Sequence, residues 1–457
     1  MASGCNNFQR QLIGSRRDFL RVGSLSGLGL ALGDVLKMES AMAAQKDFDS
    51  IEGTAKSVIQ IVLPGGIAAQ ETWNPKPEAP LEYRGPFGVN KTKIPGVVVG
   101  EMWPEIAKVA DKMCVVRSLV GNIPDHGQAQ YNMFTGYKMS PAIKHPSMGS
   151  IINHEFGPRN DLPAYIGVPQ LSGEGMGTGY LAEKYGAFTT GGDPAGDQAF
   201  QVRDLRLPDG LEQSAFASRQ RMRDVVNEQF RKLEAGPGPL DTMDSYYQQA
   251  YSMLSSESVR NAFDLSQESE KMKEMYGKGT YLSGGTYGSS LGSQAGLRML
   301  LARRLVQAGA RFVTLNYETW DDHDVIEQNY RQKMPAFDHA LAALLRDLDD
   351  RGMLDNTLVW VASEFGRTPK INASGGRDHW TRVFSQGMAG GGLKRGLFYG
   401  DSDATSSDPG KDGLHLTDFH STIYKLIGIN SDKELMAPGE RPMEIVDGGK
   451  PCDDLIA

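Results

Sequence analysis

The chain has 457 residues, 40% hydrophobic and 23% charged, a balance that supports a large core and excludes a disordered or fibrous polymer. Its formal net charge of −8 argues against a broad nucleic-acid-binding surface. Three cysteines, Cys5, Cys114 and Cys452, supply neither a disulfide framework nor a zinc-type spacing.

The chain begins with an export pattern. Ser15-Arg16-Arg17-Asp18-Phe19-Leu20 matches the twin-arginine signature, a weakly apolar stretch follows over 22–36, and Ala41-Met42-Ala43 has the form of a cleavage site. The apolar stretch is too short to span a membrane. Residues 1–43 are therefore expected to be a signal peptide. The mature chain, 44–457, is expected outside the cytoplasm, periplasmic or extracellular, with no membrane span.

Residues 57–63 are a buried-strand pattern running into the Gly65-Gly66 loop, where glycine lets the backbone approach another group closely. A helical pattern covers 102–113, and a second strand, 113–119, delivers Arg117, Asn122, Asp125 and His126. A helix is expected over 127–137, entered from His126. Residues 170–290 differ in kind: Gly-rich loops alternate with polar helices at 214–234, 241–254 and 258–276, which reads as a helical insertion.

Strand and helix patterns then alternate again: a helix at 295–308, a strand at 311–315, and the loop Trp320-Asp321-Asp322-His323-Asp324. A long amphipathic helix is expected over 325–351, with Met334, Phe337, Leu341, Leu344, Leu345 and Leu348 along one face, closed by Gly352. The strand 357–362 is almost all apolar and carries no charge, as in a parallel sheet covered on both faces. It ends in Ser363-Glu364-Phe365-Gly366-Arg367, and a surface glutamate salt-bridged to Arg367 is the plain alternative to a site there. Gly376-Arg377-Asp378-His379, a strand near 383–388 and a helix over 416–426 complete the chain.

The chemistry is expected at one sheet edge, because open α/β sheets place ligands beyond the carboxyl ends of their strands. Asp125-His126, Asp321 to Asp324, Glu364 and Asp378-His379 all follow expected strands, and His415 is a less clear member of the set. Mixed carboxylate and imidazole groups suit a divalent metal, with zinc, manganese, iron or calcium open. A hydrogen-bonded polar cluster that fixes loop geometry is the alternative.

Several stretches together resemble the bacterial exported family catalogued as domain of unknown function 1501. They are Gly65-Gly66 through Asn74-Pro75-Lys76-Pro77, Tyr83 to Phe87, Asp125-His126-Gly127 with Met133-Phe134-Thr135-Gly136, Trp320 to His323, Glu364 to Pro369, and Gly376 to Trp380. That family in turn resembles the alkaline phosphatase and sulfatase superfamily. The resemblance implies a three-layer α/β fold, a mostly parallel sheet with helices on both faces, and metal-assisted ester hydrolysis. It places Asp321, His323 and His379 at a metal, with Glu364, standing in for a metal-binding aspartate, and Asp378 as further metal residues. His126 falls where sulfatases carry their nucleophile and would be a general acid/base or an unusual nucleophile, while Arg117 or Arg377 would pair with the anionic ester. Pro64 stands where an aspartate is expected, and Phe365 where a histidine is. Three readings remain at this level: hydrolysis of a small-molecule or polysaccharide ester, a non-catalytic exported binding protein on the same fold, and an accessory protein carrying a redox metal.

Overall fold

Two strands that are buried at every position, Ser57–Val62 (β1) and Thr357–Ala362 (β6), lie side by side in parallel at the centre of the structure, a computed structural model. It describes residues 51–196, 200–202, 253–254, 256–277, 296–317 and 319–457. The signal segment 1–43, the helix expected over 214–234 and most of the one over 241–254 fall outside these residues.

The other sheet strands are Met113–Val120 (β2), Tyr165–Val168 (β3), Phe188–Thr189 (β4), Phe312–Asn316 (β5), Phe384–Ala389 (β7), Leu397–Tyr399 (β8) and Leu414–His415 (β9). Their order is β8-β2-β7-β6-β1-β5-β3-β4, with β9 also against β2. All pairs are parallel except those made by β7, which runs antiparallel to β2 and β6. No helix lies between β6 and β7 to carry the chain back to the starting edge, so β7 can only return in the opposite sense.

Alternating side chains sort into two cores. Ile59, Ile61, Val313, Leu315, Val359 and Val361 pack with helices Pro104–Val109 (α1), Gly296–Gln307 (α4) and Ile326–Asp350 (α5). Val58, Val62, Cys114, Val116, Leu358 and Trp360 pack with His126–Thr135 (α2), Met148–Phe156 (α3) and Leu416–Ile427 (α6). The result is a three-layer α/β arrangement with helices on both faces.

Local differences from the sequence reading have local causes. The expected helix at 102–113 is α1 followed by a 3-10 turn, Ala110–Lys112. The one at 258–276 is broken into Glu257–Phe263 and Glu270–Met275, because Asp264 and Ser269 each turn a side chain onto backbone N–H groups and restart the chain. Among the described residues no helix is long and apolar enough to cross a membrane.

Candidate metal centre

β1, β5 and β6 end at the same edge, and their loops are stitched together directly. Trp320 N–H donates to Pro64 O at 2.7 Å, joining the loop after β5 to the loop after β1. Gly65, at φ +108°, lies so close that a Cβ would stand 2.4 Å from Asp321 N; only glycine permits this approach. After β6 the chain forms a two-stranded ribbon in which Arg367 is in register with His379, and this places His379 beside Asp321. From β2 the chain reaches α2, whose first residue is His126 and whose N-cap, Asp125, accepts from Gln128 N–H at 3.0 Å.

The geometry fixes which ring nitrogen each of His323 and His379 turns toward the cluster. His379 Nδ1 lies 2.7 Å from Pro124 O, which only accepts, so Nδ1 carries the proton and Nε2 a lone pair. His323 Nδ1 lies 2.7 Å from Asp378 Oδ1, so that carboxylate backs its ring and turns Nε2 toward the cluster. The two Nε2 atoms stand 3.0 Å apart, and they lie 3.0 Å (His323) and 3.3 Å (His379) from Asp321 Oδ1. Two ring nitrogens and a carboxylate oxygen thus converge on one point.

His126 differs from both. Its Nδ1 is 2.8 Å from Glu364 Oε1 and its Nε2 is 3.3 Å from Asp321 Oδ2. These carboxylates, Asp321 foremost, raise its pKa to about 9 against the opposing effect of burial, so the ring is an imidazolium. Burial by itself would raise the Asp321 pKa, but His126 and Arg367 outweigh it and hold the carboxyl well below its usual range. The His379 ring is pushed toward its neutral form, first by burial and then by the nearby Arg367 charge. Ligand atoms of His126, Asp321 and His379 all lie within 4.8 Å of one another.

Arg367, not anticipated as part of the site, is fully buried beneath it and bonds Asp321 Oδ1, Gly66 O (2.8 Å) and Arg377 O (2.9 Å). Its ion pair is therefore with Asp321 and not with Glu364. Glu364 Oε1 instead accepts from Gly65 N–H at 2.8 Å and Gln130 Nε2 at 3.2 Å, besides facing His126. Glu364 and Asp378, both read from sequence as ligands, each hold a histidine in place from behind.

Two further expectations are corrected. Arg377 is completely buried, and its five N–H donors go to Glu71 and to the carbonyls of Thr368, Pro369 and Tyr83, leaving none for an ester. Arg117 sits within β2 rather than beyond its end, and donates to Gly400 O at 2.8 and 3.1 Å beside Asp401. His415 lies on β9 and is exposed. Gln130 carried a legible signal, standing one turn after His126 on the same helix face. The carbonyl of Pro124 carried none.

The family model described as "Protein of unknown function (DUF1501)" matches residues 55–456. No curated protein matches the chain in sequence. Among solved structures, the chain is similar to the lipoteichoic acid synthase LtaP from Listeria monocytogenes, at 9% identity over 88% of this chain and 79% of that one, with a TM-score of 0.36. It is similar to the PsFucS1 sulfatase from Pseudoalteromonas sp., at 11% identity over 86% and 70%, TM-score 0.36. It is also similar to a protein in the alkaline phosphatase superfamily from Vibrio parahaemolyticus, at 12% identity over 83% and 69%, TM-score 0.36. Likeness at this level assigns no residue a role.

Proposed function

The chain belongs to the DUF1501 family of proteins of unknown function, and from the site it carries we propose that it is an exported, metal-dependent hydrolase of phosphate or sulfate esters. One observation supports this above the others. His323 Nε2, His379 Nε2 and Asp321 Oδ1 converge within 3.3 Å, close enough for one cation to be held by all three, and a carboxylate with two imidazoles is a donor set that divalent metals take.

The donor set fits a divalent metal. Asp321, His323 and His379 would hold it, with His126 at the rim. Two nitrogens and an oxygen suit zinc or manganese better than calcium, which prefers oxygen throughout. Such an ion would supply Lewis acidity toward an ester oxygen. The protein's own contribution is a held proton and a fixed carboxylate. Glu364 and Asp321 both face His126, which places it at the rim to exchange a proton with a leaving-group oxygen. Arg367 pins Asp321 from below, and Glu364 is pinned by Gly65 N–H and Gln130. The twin-arginine pattern around Arg16 and Arg17 supports export, and replacing both by lysine is expected to retain the precursor inside the cell.

A second reading, a non-catalytic binding protein, draws on one feature: among the described residues no hydroxyl or thiol side chain bonds His126, Asp321, His323 or His379. Metal analysis of the purified chain, with turnover of 4-nitrophenyl phosphate and 4-nitrophenyl sulfate, separates the two. Bound metal with turnover, both lost in His379→Ala, is the expected result. Bound metal without turnover on any ester favours the second reading, and a chain with neither rejects both.

A further inference from the structure

His323 reaches the cluster from a strained piece of backbone. Two residues later Val325 occupies the left-handed region, at φ 37° and ψ 41°, where a β-branched side chain is a true outlier. Strain of this kind persists only where the surroundings over-determine it. Here the surroundings are the loop 372–376. Val325 N–H donates to Ser374 O at 3.0 Å, Ile326 N–H donates to Gly375 O at 2.9 Å, and Asp324 and Gly375 form an isolated bridge. Gly376 packs so tightly on the His323 backbone that a Cβ would lie 2.1 Å from the His323 carbonyl carbon.

One side chain ties this loop to the site. Asn372 Oδ1 accepts from Ser374 N–H and Gly376 N–H, both at 3.0 Å, and so closes the loop on itself. Asn372 Nδ2 donates outward, to His323 O at 2.9 Å and to Asp378 Oδ1 at 3.3 Å. Asp378 Oδ1 is the same oxygen that faces His323 Nδ1. A single amide thus holds the His323 backbone at one point and the carboxylate that orients its ring at another. We propose that Asn372 is a positioning residue: by fixing His323 and Asp378 together, it aims His323 Nε2 at the metal. This rests on the metal-centre reading above.

The two ends of the amide do different work, and that makes a test possible. Asn372→Asp keeps an oxygen for Ser374 and Gly376, so the loop stays closed. It replaces the outward donor with an acceptor facing two acceptors. A negative charge added near a cation site should by itself tighten binding, so the direction of the change discriminates. The full chain, its Asn372→Asp and its Asn372→Ala variants are titrated with zinc against a chromophoric chelator. In the metal-free proteins the downfield imidazole N–H resonance of His323 is followed by NMR, and melting is recorded in chelator. Losing a partner that orients a metal ligand typically costs 10- to 100-fold in affinity. Asn372→Asp is therefore expected to weaken zinc binding by about 10- to 100-fold. Its His323 resonance should be lost, and its chelated melting temperature should stay near that of the parent. Equal or tighter zinc binding with the resonance in place overturns the proposal. If the parent chain takes up no zinc, the metal-centre reading fails by itself. The resonance then decides: lost in Asn372→Asp, the positioning role stands; kept, it falls. Asn372→Ala separates loop closure from aiming, since it alone should also lower the chelated melting temperature.

Discussion

Arg377 and Glu71 offer the sharpest test of how the site loops are held. Both side chains are fully buried, and the guanidinium bonds Glu71 through Nη2 at 2.7 Å and through Nε at 3.0 and 3.1 Å. Its remaining donors reach Thr368 O (2.9 Å), Pro369 O and Tyr83 O (2.8 Å), so one side chain fastens the 366–380 ribbon to the segment after β1. Arg377→Met strands a buried carboxylate and leaves three carbonyls without this donor. Removing one partner of a buried pair costs about 3–5 kcal/mol. The carbonyls add ~1 kcal/mol or so, since water and relaxation satisfy part of the loss. The expected loss of about 4–6 kcal/mol is a large share of the 5–15 kcal/mol typical of a folded domain. Burial pushes the Glu71 pKa up even with Arg377 present to lower it. Without Arg377 it rises further. A carboxyl whose folded pKa exceeds its unfolded one favours the fold most at low pH, and that contribution is lost as pH rises through the folded pKa. The deficit of Arg377→Met should therefore shrink on acidification. Glu71→Leu combined with Arg377→Met, which strands no charge, should recover at least ~2 kcal/mol of the single-variant loss. Guanidinium denaturation followed by tryptophan fluorescence measures each species. A single-variant loss below about 1 kcal/mol, or a double variant no more stable than the single, would refute the reasoning.

His420 is completely buried and donates from Nε2 to Met133 O at 2.7 Å, and burial lowers its pKa to about 4. Its folded pKa is depressed, so its neutral form stabilises the fold above about pH 6.5, and ~3 kcal/mol is lost as pH falls through 4. His420→Gln should flatten the stability–pH curve between those values, and an unchanged slope would count against this assignment. Val325→Gly relieves a left-handed conformation that costs ~1–3 kcal/mol and gives back ~0.5–1 to unfolded-chain entropy, so a net gain of about 1 kcal/mol is expected. A measured loss of stability would show that the Val325 side chain does more than tolerate its backbone. Gly65→Ala combines an unfavourable φ with a Cβ directed at Asp321 N, and should lower both stability and metal uptake; retention of full uptake would mean that the loop shifts freely.

The sheet and the site edge were legible because their signals are strong. An uninterrupted apolar run such as Thr357–Ala362 has few ways to be buried, and acid/imidazole loops that follow parallel strands must share an edge. That is how Asp321, His323, Glu364, His379 and His126 could be named together. Their division of labour was not legible. Whether a carboxylate faces the cluster or backs a histidine depends on hydrogen bonds across 55 residues for His323 and Asp378, or 238 for His126 and Glu364. Two arginines were misjudged for a related reason: charge suggested anion binding, whereas Arg377 is spent on Glu71 and buried carbonyls and Arg117 on the Gly400 carbonyl. The antiparallel sense of β7 follows from a missing helix, which strand patterns alone do not reveal.

The placement of β1 has a consequence for synthesis. It sits between β5 and β6, and both partners lie far downstream, at 312–316 and 357–362. A ribosome adding roughly 5–20 residues per second needs on the order of 15–60 s to travel from the end of β1 to the end of β6. Until residue 312 is made, the segment SVIQIV, buried at all six positions in the finished sheet, has neither neighbour to pair with, and until 357 it has only one. The first strand made is among the last to find its place, so the nascent chain carries an adhesive, aggregation-prone stretch for much of its production. A chain that stops short of residue 357 lacks one whole side of its central strand, and the cell should degrade such fragments instead of accumulating them.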